Sequence, residues 1–132
     1  MFTVTELPHL TALFRAMLEA KFHSNPEDED LAASSLLAEV VLKLRDCLIA
    51  AEREQDGISA EQRWKEWLAI TPARREWRVS VAYAARNWKD CWSSWAPDVK
   101  ERAVRQLLSP FDVSDTTIAE FSDELTQTLG HA

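Results

Sequence analysis

Apolar residues recur at three- and four-residue intervals through most of the chain, a spacing that predicts helices rather than strands. Leu7, Leu10, Phe14, Met17 and Leu18 predict a first helix ending near Phe22, before the break His23-Ser24-Asn25-Pro26. Asn25 can cap a second helix with Pro26 in its first position, and the run Glu27–Asp30 suits the dipole of a first turn. In that helix Leu37, Val41, Leu44, Leu48 and Ala51 form the stripe, widened by Leu36, Val40 and Cys47, up to a stop before Asp56-Gly57. Ser59 with Gln62 reads as a capping box for a short helix carrying Trp64, Trp67 and Leu68. Thr71-Pro72 opens a fourth helix whose apolar seam is Trp77, Val81, Ala84, Trp88, Cys91 and Trp95. Pro97 starts a fifth helix, with Val99, Ala103, Val104, Leu107 and Leu108 inward. Ser114 or Asp115 caps the last, which shows Ile118, Phe121, Leu125 and Leu129 and ends at Gly130. The expected fold is all-α. Residues 1–132 form a single-domain, up-and-down bundle of five or six helices, with two long helices at about 26–55 and 72–95. Val41, Leu44, Leu48, Val81 and Trp88 lie at the centres of the two longest seams and are the expected core.

Composition narrows the class. A chain of 132 residues can build one core without staples. With only 2 Gly and 5 Pro it lacks the turns of a β-sandwich and the Gly-rich loop of a phosphate site. No apolar run approaches the roughly 18 residues of a membrane span, and Met1–Glu6 lacks the basic-then-apolar pattern of a secretion signal. Cys47 and Cys91, both inside helical patterns, are expected as buried, reduced thiols of a cytoplasmic protein.

The net charge of −7 is unevenly laid out. Residues 1–60 carry 11 acids and 5 bases, net −6; residues 61–110 carry 6 acids and 10 bases, net +4; residues 111–132 carry 5 acids and no base, net −5. All six tryptophans lie in the basic middle third. With the Trp77–Trp95 seam at zero and about 100° per residue, Arg74, Arg75, Arg78, Arg86 and Lys89 fall between about 60° and 180°, while Glu76 and Asp90 fall on the other side. This stripe can either face acids such as Glu39, Asp46, Glu52 or Asp115–Glu124, or bind something anionic. Likewise the six indoles either fill a large core or leave a surplus for an interface, where tryptophan is a frequent anchor.

Catalytic chemistry finds few parts. Glu6-Leu7-Pro8-His9 has the Glu-x-x-His spacing of di-iron bundles, but no second such pair exists. Glu19 and His23 read as a surface pair at a helix end, and His131 falls in a tail. No Gly-x-Ser-x-Gly, P-loop or dinucleotide fingerprint occurs. The expectation is therefore no enzyme, cofactor or metal. We expect instead a helical adaptor, regulator or accessory subunit that docks a protein partner through Arg74, Arg75, Arg78, Arg86, Lys89, Trp64, Trp67 and Trp92; self-association stays open. The alternative is a nucleic-acid-associated subunit whose basic strip follows a phosphate backbone. It would match the small helical subunits of CRISPR-type effector complexes in size and architecture, but in no motif.

Overall fold

The computed structural model describes residues 1–130, so His131 lies outside the described residues. Six α-helices follow in order: α1 (Leu7–Lys21), α2 (Ser35–Asp56), α3 (Ile58–Leu68), α4 (Arg75–Asn87), α5 (Pro97–Leu108) and α6 (Asp115–Gly130), with a 3₁₀ turn at Trp92–Ser94. Among the described residues no strand forms, and one isolated β-bridge joins Ala69 to Asp112. The fold is an all-α bundle, and none of its helices is long and apolar enough to cross a membrane.

Helix starts and stops follow local chemistry in half the chain. Pro97 sits in the first turn of α5, and Ser114 accepts the Thr117 N–H at 3.2 Å ahead of α6. Elsewhere the boundaries move. The second helix begins at Ser35, not Pro26, because the acidic run folds on itself: Asp28 accepts the Asp30 N–H at 2.9 Å, and Ser34 becomes the cap. Gly57 takes a φ of 58° and lets α3 begin at Ile58, so the Ser59–Gln62 capping box is not used. The fourth helix is 13 residues, not 24: it begins after a turn over Thr71–Arg74 and stops at Asn87. There the Asn87 amide bonds both Tyr83 O (3.0 Å) and Glu29 (3.2 Å), offering the chain an alternative to another helical turn.

Two apolar clusters result. Leu10, Phe14, Val41, Leu44 and Leu48 fill the space between α1 and α2. Trp77, Val81, Trp88, Trp92, Val104, Leu108, Phe121 and Leu125 fill the space among α4, α5 and α6. All five residues expected in the core are buried. The widened stripe of α2 is a correction: Leu36, Val40 and Cys47 are exposed, since α1 and α3 cover only the Val41–Leu44–Leu48 side. Both thiols are free, with Cys91 half-buried and Cys47 in solvent, so a buried pair is not formed.

Polar groups join the two clusters. Lys21, at the end of α1, is buried, and its ammonium donates to Ala32 O (3.0 Å), Gln106 O (3.0 Å) and Leu107 O. Arg45 on α2 reaches Pro110 O at 2.9 Å and Asp112 at 3.6 Å. Ser80 on α4 is the exception, with a buried hydroxyl that has no hydrogen-bond partner among the described residues. Ser80→Ala should therefore raise folding stability by about 0.5–1 kcal/mol, because it deletes an unsatisfied group and improves helix propensity. Chemical denaturation measures this, and a loss on substitution would show that the hydroxyl has a partner in solution.

Candidate interaction surface

The eight residues singled out by sequence separate in space. Trp92 lies in the core: it is 3% exposed, stacks on Trp88 at 5.9 Å and donates to Thr126 at 3.3 Å. It leaves the candidate surface and joins Trp77 and Trp88 in the core, because α4, α5 and α6 close around all three. The basic middle third thus uses half its indoles as core and half at or near the surface.

On α3, Trp67 is exposed, and Trp64, three residues earlier, is half-buried against the α1–α2 cluster. They face α1, where Phe14 meets Trp64 at 5.8 Å and Trp67 at 5.9 Å between ring centroids. These rings line an open groove of about 470 Å³, together with Leu18, Arg15, Arg63 and Glu52. Glu52 on α2 takes the Trp64 indole N–H, which fixes that ring. Arg63 pairs with Asp56 at 3.1 Å, whereas Arg15 has no ion pair among the described residues. The groove can bury apolar or aromatic side chains against three rings and hold an acidic group at Arg15.

Arg74 belongs to this side. It precedes α4 rather than riding on it. Its guanidinium lies over Trp67 (4.7 Å) and Phe111 (4.3 Å), bonds Trp67 O and pairs with Glu76 at 2.9 Å. It braces the groove from behind and is not a free cation.

Arg75, Arg78 and Arg86 remain on α4, whereas Lys89 lies past its end. Arg75 donates to Phe22 O at 2.9 Å and stands 3.9 Å from Glu19. Glu19 is thus turned to Arg75, and His23 instead accepts the Asn25 N–H at 3.0 Å, so the expected Glu19–His23 pair does not form. Arg86 pairs with Glu29 at 3.4 Å. Arg78 donates to Ala73 O at 2.6 Å, and neither it nor Lys89 has an ion pair among the described residues. The acids proposed for the strip from sequence are not the ones that meet it. Glu39 and Asp46 pair within α2, with Lys43 and Arg45. Glu29 and Asp30, in the loop before α2, bear on Tyr83, whose phenol is pushed up by burial and then by these two carboxylates.

Phe14, Arg15 and Leu18 escaped the sequence reading as site residues. Their helical spacing marks α1 as amphipathic but says nothing about α3 lying alongside. A shallow depression of about 680 Å³ lies over Phe111 and Leu42, where Arg105 is already bound to Glu101, Asp115 and Val113 O. Neither a scan against protein-family models nor searches of the curated proteins and of the solved structures finds a match.

Proposed function

We propose that this protein is a non-enzymatic interaction module, an adaptor or accessory subunit that docks a protein partner through the aromatic groove between α1 and α3. One observation carries the reading: the exposed Trp67 and half-buried Trp64 stand beside Phe14 around an open groove, lined also by Arg15, which has no ion pair among the described residues. Rigid indoles in a groove give large contact area at little entropic cost, which is why tryptophan dominates interface hot spots. The fitting partner segment is an apolar or aromatic anchor flanked by acids.

A polynucleotide is less well supported. Its backbone presents charge at regular intervals, but the cations of α4 do not repeat as free groups. Arg86 is engaged by Glu29, Arg74 is stacked behind Trp67, and α4 ends before Lys89. A phosphate backbone needs several neutralising contacts for useful affinity at physiological salt.

The test is capture of partners from the native host by wild type, Trp67→Ala and Arg15→Glu, with Leu36→Ser on exposed α2 as control. We expect the two groove variants, checked for intact folding, to lose a protein that the control retains. Recovery of the same proteins by all four would overturn the docking role of the groove.

A further inference from the structure

We propose that the cleft between the end of α1 and the outer face of α4 binds a phosphomonoester through Arg75 and Arg78. The cleft holds about 300 Å³ and is lined by Ser24, Arg75, Arg78, Val79 and Ala82. All of its polar side chains can donate hydrogen bonds, and no carboxylate lines it. Each arginine is positioned by one backbone carbonyl: Arg75 by Phe22 O at 2.9 Å and Arg78 by Ala73 O at 2.6 Å. A guanidinium has five N–H donors, so most remain free after that single bond. The Ser24 hydroxyl forms no hydrogen bond among the described residues and adds a further donor at the α1 end. The acid that reaches the pair is Glu19, at 3.9 Å from Arg75; it is 72% exposed and does not line the cleft.

Ligand class follows from charge and shape. Two guanidinium forks facing one small volume match the several oxygens of a phosphoryl group, which they can grip in bidentate fashion. A phosphomonoester carries about −1.5 to −2 charges at pH 7, against −1 for a carboxylate or a backbone phosphodiester. Val79 and Ala82 supply an apolar wall that offers no competing acceptor. Arg86 lies outside the cleft, tied to Glu29, so the site takes one phosphoryl group rather than a row of them. The cleft does not include the aromatic groove, and the inference holds whether or not that groove docks a partner. A free phosphate compound and a phosphorylated side chain present the same chemistry.

The experiment is a ¹H–¹⁵N NMR titration of the full chain, following the Ser24 amide and the Arg75 and Arg78 side chains. The probes are inorganic phosphate, a phosphoserine peptide with its unphosphorylated twin, an oligonucleotide, and chloride at matched ionic strength. We expect saturable shifts at these three residues with the phosphate probes and none with chloride or the unphosphorylated peptide. Tighter binding of the phosphopeptide would mark a phosphorylated partner as the source, and equal binding a free phosphate compound. Arg78→Gln, which removes only the exposed fork and its Ala73 bond, should weaken binding about tenfold or more, while Arg102→Gln on α5 should not. The proposal fails if neither phosphate probe gives saturable shifts. It fails equally if binding survives in folded Arg78→Gln, or if only the oligonucleotide binds.

Discussion

Lys21→Met should remove about 2 kcal/mol or more of folding stability, because it takes the donor from Ala32 O and Leu107 O in buried bonds, at roughly 1–3 kcal/mol each, and leaves Gln106 O only the Ser109 N–H at 3.4 Å. Lys21 is 2% exposed and spends its ammonium protons on Ala32 O, Gln106 O and Leu107 O. Two of these carbonyls belong to the last turn of α5, where helical partners run out and the helix dipole is negative. No carboxylate pairs with Lys21 among the described residues, so backbone carbonyls are its polar partners. Methionine fills nearly the same volume, which isolates the polar loss from a cavity. Denaturant midpoints measure the change, and a loss under about 1 kcal/mol would mean that the carbonyls find water instead.

The same residue has a pH signature. Burial pushes the Lys21 ammonium down to about 7 from its ordinary 10.5. Between those values the unfolded chain holds the proton that the folded chain has released, so stability from this group rises with pH. It is fully present above 10.5 and is lost as pH falls through 7. Wild type minus Lys21→Met should therefore give a difference that grows from neutral to alkaline pH. A flat difference would place the folded proton affinity near that of a free lysine.

Trp77→Ala should cost about 3–5 kcal/mol, the range for deleting a large buried ring and leaving its cavity. Trp77 is 0% exposed, meets Phe121 edge-on at 5.2 Å and donates its indole N–H to Glu124, so it ties α4 to α6 by both apolar and polar contact. Trp77→Phe keeps most of the ring and loses the N–H, and should cost clearly less. If the two variants lose the same stability, the Glu124 bond rather than ring burial is the dominant contribution.

These effects were visible to sequence in unequal measure. Trp77 sits on a 4-3-4 seam, which placed it on the apolar stripe of its helix, and the packing of α6 then buried it. Lys21 carries no such mark: nothing in Glu19-Ala20-Lys21-Phe22 distinguishes it from a solvated lysine at a helix end, since its three acceptors come from the loop at Ala32 and from α5, more than 80 residues away in the latter case. The helix count, the all-α class and the limits of α1, α5 and α6 were legible because periodicity, Pro97 and the Ser114 cap act within a few residues. The end of α4 was not, because Asn87 is engaged by Glu29 from a loop 58 residues earlier.

The candidate surfaces divide along the same line. One-sided placement of Arg75, Arg78 and Arg86 is a property of a single helix and its period, so the sequence contained it. Their partners depend on where α1 and its following loop lie against α4, and only the tertiary structure decided that Glu19 and Glu29, not Glu39, Asp46 or α6, would meet them. Likewise the chain could announce six tryptophans but not which would be enclosed: Trp92 is covered by the closing of α4, α5 and α6, while Trp67 stays exposed and Trp64 half-buried beside Phe14 of α1. A helix fixes which residues share its face through its own hydrogen bonds; what that face meets is fixed by packing between distant segments, where no local pattern operates.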